Sequence, residues 1–195
     1  QGSYACGTVA GANTRCYHGV LVAALAAPVG RTLLVAKIDA TAHLRGVAYK
    51  LDTNEWADGT IDPPAYKLIE SFQLDGTLPV WTYALAEAQL VKRVWLPHGQ
   101  PTTFVTYTHA RGADPIELDL KVLCTYRDHH NSTTGDWVPT ITHTPTSLRI
   151  DALDEVPPYF VKIERGRYTP IERWYHKFKH RVETERGLDD VEDLY

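Results

Sequence analysis

Between Ile116 and Val122 the chain alternates apolar and charged side chains without a break, Ile-Glu-Leu-Asp-Leu-Lys-Val. That period of two constrains the fold more than any other feature. Successive side chains of an extended strand point to opposite faces, so the segment must place one face in a core and the other in water; the strand is expected to continue to Thr125. Thr103 to Thr108, Leu148 to Ala152 and Tyr159 to Ile163 repeat the habit, while Val20 to Leu25, Leu33 to Ile38 and Leu90 to Leu96 read as strands with less regular faces. Breakers separate them: Asp75-Gly76, Pro97-His98-Gly99, Arg111-Gly112 with Asp114-Pro115, and Pro157-Pro158. Many short strands with little helical periodicity imply sheet packed on sheet, so the expectation is an all-β chain forming a large antiparallel β-sandwich. With 195 residues the chain can bury one good core, and a single domain over 1–195 is expected. The irregular stretches Leu51 to Ala65 and Arg127 to Pro145 are too long for plain connectors and point to function or domain contact.

The C-terminal part supports two periods at once. Ile171, Trp174, Tyr175, Phe178 and Val182 make a helical stripe, whereas Trp174, His176, Phe178, His180 and Val182 alternate strictly. Its charge is divided as well: Lys162 to Arg181 is basic, and Glu183 to Tyr195 is acidic with only Arg186 opposing. That acidic run is expected to be a solvated edge or linker, or a segment that docks on a neighbouring domain.

Composition narrows the function classes. A net charge of −4 offers no field for a polyanion, which argues against a nucleic-acid partner. No apolar run approaches the roughly 20 residues that span a bilayer, so no membrane role is expected. Three cysteines, Cys6, Cys16 and Cys124, are an odd set without metal-type spacing and suit a reducing compartment, hence the cytoplasm. The chain opens on Gln1 and contains no Met, which is expected of a fragment of a longer protein.

The segment Asn13-Thr14-Arg15-Cys16-Tyr17-His18-Gly19 sets polar, directional groups directly before an apolar strand. Asn13 donates and accepts, Arg15 offers a planar fork of donors, Tyr17 couples a ring face to a hydroxyl, and His18 can donate, accept or titrate. Such groups suit a hydroxyl-rich ligand. Glycines at 7, 11 and 19 allow the backbone to bend or approach a neighbour closely.

From Tyr4-Ala5-Cys6-Gly7-Thr8 through this segment, the chain resembles the start of the N-terminal domain of bacterial and archaeal glycogen debranching enzymes. Pro28-Val29-Gly30-Arg31-Thr32-Leu33-Leu34, Leu68-Ile69-Glu70-Ser71-Phe72, Pro79-Val80-Trp81-Thr82-Tyr83, Lys92-Arg93, His98-Gly99, Thr102-Thr103 and the closing Arg186 to Tyr195 carry the resemblance onward in order. Each motif alone is weak, and their ordered succession over nearly the whole chain is specific. This chain has Cys16 where the family usually shows a second Arg.

The resemblance implies a β-supersandwich of galactose-mutarotase-like type that precedes a catalytic (α/α)6 barrel, the barrel carrying the amylo-α-1,6-glucosidase acid and base. Residues 183–195 would then lead toward that barrel, and the resemblance tips the ambiguous segment before them towards strand. The expected partners are α-glucan, as glycogen or maltooligosaccharide, and the barrel of the same polypeptide, with no cofactor. Two other roles stay open: a pure interdomain scaffold and a free-standing carbohydrate-binding module.

Sugars present apolar C–H faces ringed by hydroxyls, so flat aromatics and charged or amide side chains are the groups to look for. Trp95 lies in a strand pattern and is expected in the core. Trp56 and Trp137 lie in the long polar stretches, where an exposed aromatic needs a reason. Trp81, after Pro79, could stack on a sugar or wall the site. A second constellation, Tyr126-Arg127-Asp128-His129-His130-Asn131, falls where a strand empties into a loop. It reads either as a rim for sugar hydroxyls or as an Asp-His turn that fixes the loop. The substrate-binding set is therefore Arg15, Tyr17, His18, Trp81, Asp128 and His129: Arg15 and Asp128 for hydroxyls, Tyr17 and Trp81 for the ring face, the histidines to complete hydrogen bonds. No metal site is expected, because adjacent histidines on an extended chain point to opposite sides. No catalytic residue is expected either: Glu55, Asp58, Glu70 and Asp128 are available carboxylates, and nothing in the sequence pairs any two as acid and base.

Overall fold

One strand organises the molecule. In the computed structural model, which describes residues 2–26, 30–135, 137–154 and 156–195, strand β3 (Arg31–Leu44) runs for 14 residues. Pro28 and Val29 of the family-like segment lie outside the described residues, as does Asp136 of the second long stretch.

β1 (Tyr4–Cys6) pairs with β2 (Gly19–Ala24), β2 pairs with the first part of β3, and β4 (Val47–Lys50) returns along its last part, Thr41↔Lys50 to Leu44↔Val47. The opposite edge of β3 is covered by β9 (Glu117–Asp128), from Thr32↔Asp128 to His43↔Glu117. Between them β5 (Ile69–Asp75), β6 (Leu78–Leu85), β7 (Ala88–Trp95) and β8 (Phe104–Arg111) form an antiparallel meander, turning at Asp75-Gly76 as the breaker predicts. A second meander follows: β10 (Thr140–Thr144), β11 (Ser147–Asp151) and β12 (Tyr159–Lys162). The chain closes with β13 (Tyr175–Lys179), a short helix α1 (Arg181–Glu185) and β14 (Val191–Leu194), β13 pairing with β14. The all-β antiparallel class read from alternation is the one observed.

Sheet packs on sheet in three places. The first half of the β3–β9 ladder meets β10–β12 through Ala23, Leu34, Cys124, Leu148, Ile150 and Tyr159. The second half meets the β5–β8 meander through Ala40, Ala42, Leu51, Tyr83, Leu85 and Leu90. The β13–β14 hairpin covers Val22, Leu33, Ala36 and Leu123 with Phe178 and Leu194. One strand can serve both faces because the β3–β9 register shifts between Leu33 and Val35 and again between Val35 and Lys37, and such irregularities re-aim side chains.

These layers explain where alternation fails. β9 extends to Asp128, and Leu123 to Arg127 are all buried, because the second meander covers one face and the hairpin the other. The segment expected to be strand is one over Tyr175–Lys179 and gives way to a helix over Arg181–Glu185, so that each period is realised in turn. The acidic run is folded in and not solvated throughout: Glu183 and Glu192 are 0% and 1% exposed. Tyr195 exchanges both backbone hydrogen bonds with Cys124, at 2.8 and 2.9 Å. Trp95 is not a core residue; it is half-buried at the end of β7 and stacks on the exposed Phe104 at 5.2 Å. Among the described residues no helix is long and apolar enough to cross a membrane.

All three cysteines are free. Cys6 is exposed, whereas burial pushes the thiols of Cys16 and Cys124 up to about 11, the neighbouring Glu183 charge adding to the effect at Cys16. Iodoacetamide at pH 8 should therefore alkylate Cys6 alone in the native chain and all three after denaturation, as peptide mass spectrometry would read. Native labelling of Cys16 would show that its segment opens.

Candidate functional site

The segment before β2 lies as a strap fixed by buried polar groups. Its backbone turns twice, Gly11 N–H to the Thr8 carbonyl and His18 N–H to the Arg15 carbonyl, both at 3.1 Å. The Asn13 amide donates to the Ala36 carbonyl at 3.0 Å, and the buried Lys37 ammonium donates to the Gly11 carbonyl at 2.6 Å and to the Thr53 carbonyl. Asn13 is thus spent on the backbone. Gly19 is required where the strap joins the sheet, since a Cβ there would lie 2.1 Å from Leu33 Cδ1. A Cβ on Gly7 would meet nothing among the described residues, so Gly7 has no such reason.

Glu183 is the anchor beneath the strap. One carboxylate oxygen accepts Arg15 Nε and the Cys16 N–H, each at 3.2 Å, and the other accepts Arg186 Nη1 at 3.0 Å. Burial opposes ionisation, yet these donors hold the carboxyl below its ordinary range. Arg127, buried at the end of β9, donates to the Cys16 carbonyl at 2.8 Å, to the Asp128 carbonyl at 3.1 Å and to the Glu192 carboxylate at 3.0 Å. The strap, the end of β9 and the C-terminal hairpin are therefore one polar unit.

Above that unit side chains from two distant segments meet. The Arg15 guanidinium lies 4.9 Å from the centre of the Tyr17 ring, and the Tyr17 hydroxyl is 2.9 Å from His130 Nδ1. Tyr17 presents its ring edge-on to both His129 and His130, whose own rings lie 4.0 Å apart. Asp128 Oδ1 accepts the His130 N–H at 2.8 Å, and the Asn131 N–H reaches the Asp128 carbonyl at 3.1 Å, closing a turn. The Asp-His turn foreseen from sequence is thus built, and its side chains still reach the surface. Because 128–131 turns, the adjacent histidines converge, where on an extended chain they would point to opposite sides.

Of the six residues expected to bind substrate, the structure gathers Arg15, Tyr17, Asp128 and His129, and adds His130. It does not gather His18 or Trp81. His18 is only 9% exposed, its Nδ1 accepts the Thr14 N–H at 3.1 Å, and burial followed by the Arg15 charge lowers its pKa. The Trp81 indole N–H donates to the Val9 carbonyl at 2.9 Å and its ring packs on Phe72, so it ties the first meander to the strap. Trp137 packs edge-on against Trp174, 5.3 Å away, beside the first core. The four carboxylates considered for acid–base chemistry have separate partners: Glu55 with Arg181, Asp58 with the Thr60 N–H, Glu70 with Gln89, Asp128 within its turn.

Sequence reading missed a groove of about 740 Å³ along β9. Asp39, Asp52, Asn54, Asp119, Lys121 and Trp56 contribute to its wall. Asp39 and Lys121 are cross-strand partners, Asn54 donates to Asp39 Oδ2 at 2.9 Å, and Asp39 Oδ1 pairs with the buried Lys37 ammonium at 3.4 Å. The only sequence signal was Lys37-Ile38-Asp39, charges interrupting an otherwise apolar strand.

The family model described as glycogen debranching enzyme N terminal matches residues 1–195. No curated protein and no solved structure matches the chain.

Proposed function

We propose a role for this chain from the premise that it belongs to the family of glycogen debranching enzyme N-terminal domains: it supports a catalytic (α/α)6 barrel of the same polypeptide and holds branched α-glucan for α-1,6-glucosidic hydrolysis, without supplying the acid or base. The carrying observation is the partly exposed patch of Arg15, Tyr17, Asp128 and His129 on a buried ionic base. Among the described residues the terminal guanidinium nitrogens of Arg15 and Oδ2 of Asp128 make no hydrogen bond, so a donor fork and an acceptor face solvent beside an aromatic ring. That is the chemistry sugar hydroxyls need, and groups already held in place lose little entropy on binding. Free cysteines fit a reducing, cytoplasmic setting.

Isothermal titration of the chain with maltoheptaose and with a branched α-glucan tests this. Saturable heat is expected, weakened roughly tenfold in Arg15→Ala and in Asp128→Asn, the cost of one charged hydrogen bond to a hydroxyl. A folded protein giving no heat would leave the scaffold role. One observation favours that second reading: Phe72, Leu74 and Phe104 on the first meander are 38%, 63% and 44% exposed, apolar surface that a partner domain would cover.

A further inference from the structure

We propose that the turn Asp128-His129-His130 is a binding site for a divalent transition-metal ion of the zinc class, completed by solvent and braced by Tyr17. Each of the three side chains offers one ligand-type atom within 4.8 Å of the other two, and His129 Nδ1 itself lies 3.7 Å from Asp128 Oδ1. Ligand distances of about 2.1 Å would draw the coordinating atoms to roughly 3.4 Å apart, a closing-in made by the exposed Asp128 and His130 side chains around the more buried His129.

Hydrogen bonding at the far side of each ring favours this use. His129 Nδ1 lies 3.2 Å from the Arg31 carbonyl, which can only accept, so Nδ1 carries the proton and the lone pair is on Nε2. His130 Nδ1 meets the Tyr17 hydroxyl, which accepts as readily as it donates, so this ring can present Nε2 as well. Metal-binding imidazoles commonly have their second nitrogen held by a carbonyl or another polar group, which fixes tautomer and ring orientation. Asp128 spends Oδ1 on the His130 N–H and keeps Oδ2 as the anionic ligand. Two imidazoles and a carboxylate with an open position suit zinc, cobalt or nickel better than calcium or magnesium, which prefer oxygen cages. The site does not rest on the glucan reading; it is titrated without sugar, and either can fail alone.

The test is calorimetric titration of metal-stripped protein with ZnCl2, in a Cys6→Ser background that removes the exposed thiol. One-to-one saturable binding is expected. His129→Gln and Asp128→Asn should each weaken it at least tenfold, and Tyr17→Phe, which alters only the brace, by about tenfold. In the unmutated chain, Zn²⁺ should protect His129 and His130 from diethyl pyrocarbonate. Absence of saturable binding, affinity unchanged in the variants, or undiminished modification of both histidines under saturating zinc would each overturn the proposal.

Discussion

Glu192→Ala should lower the unfolding free energy by about 3–5 kcal/mol, read from the urea midpoint at pH 7. Glu192 is 1% exposed and Arg127 7%. Arg127 links three segments, donating to the Cys16 carbonyl, the Asp128 carbonyl and Glu192. Removing the carboxylate leaves a guanidinium buried without its counter-charge, which costs more than the pair contributes. The double variant Arg127→Leu with Glu192→Leu should therefore lose less than Glu192→Ala alone, because neither charge is stranded. A loss under about 1 kcal/mol in the single variant would mean that Arg127 reaches water and that the strap is not held as described.

The second large effect is a loss of stability on mild acidification. His180 is 1% exposed, and burial, with the Arg127 charge adding to it, pushes its pKa from the ordinary 6.5 down to about 4. In the folded chain the ring stays neutral where the unfolded chain has taken up a proton. Its contribution is fully present above pH 6.5 and is lost as the pH falls toward 4, for a total of about 3 kcal/mol. His18, also lowered by burial, acts in the same direction. Glu192, whose carboxyl burial pushes up, acts in the opposite one and lies 3.4 Å from His180 Nε2, so the comparison between variants reads His180 together with its contact to Glu192. His180→Gln should flatten the dependence by that amount across this window. Equal slopes in wild type and variant would remove His180 as the source.

Legibility differed between strands and site for one physical reason. A strand half in water announces itself locally, because the alternation is written in consecutive residues; Leu148 to Ala152 and Tyr159 to Ile163 matched β11 and β12 within a residue. Where both faces are covered, as over Leu123 to Arg127, the alternation carries no information about the second layer. The segment around His180 satisfied two periods, and contact with the strap and β9 decided where strand gives way to helix. Arg15 and Tyr17 were legible as surface chemistry because their segment is dense in directional groups. His18 and Trp81 share that chemistry, and packing spent it on Thr14 and Val9.

By itself the sequence determined the antiparallel all-β class and the family, since both depend on patterns read in order along the chain. Tertiary structure alone decided which polar groups are buried and which are offered to a ligand. Arg15 meets its carboxylate 168 residues away, and Tyr17 meets His130 across 113. Burial and pairing of charge depend on such contacts, which no local pattern encodes.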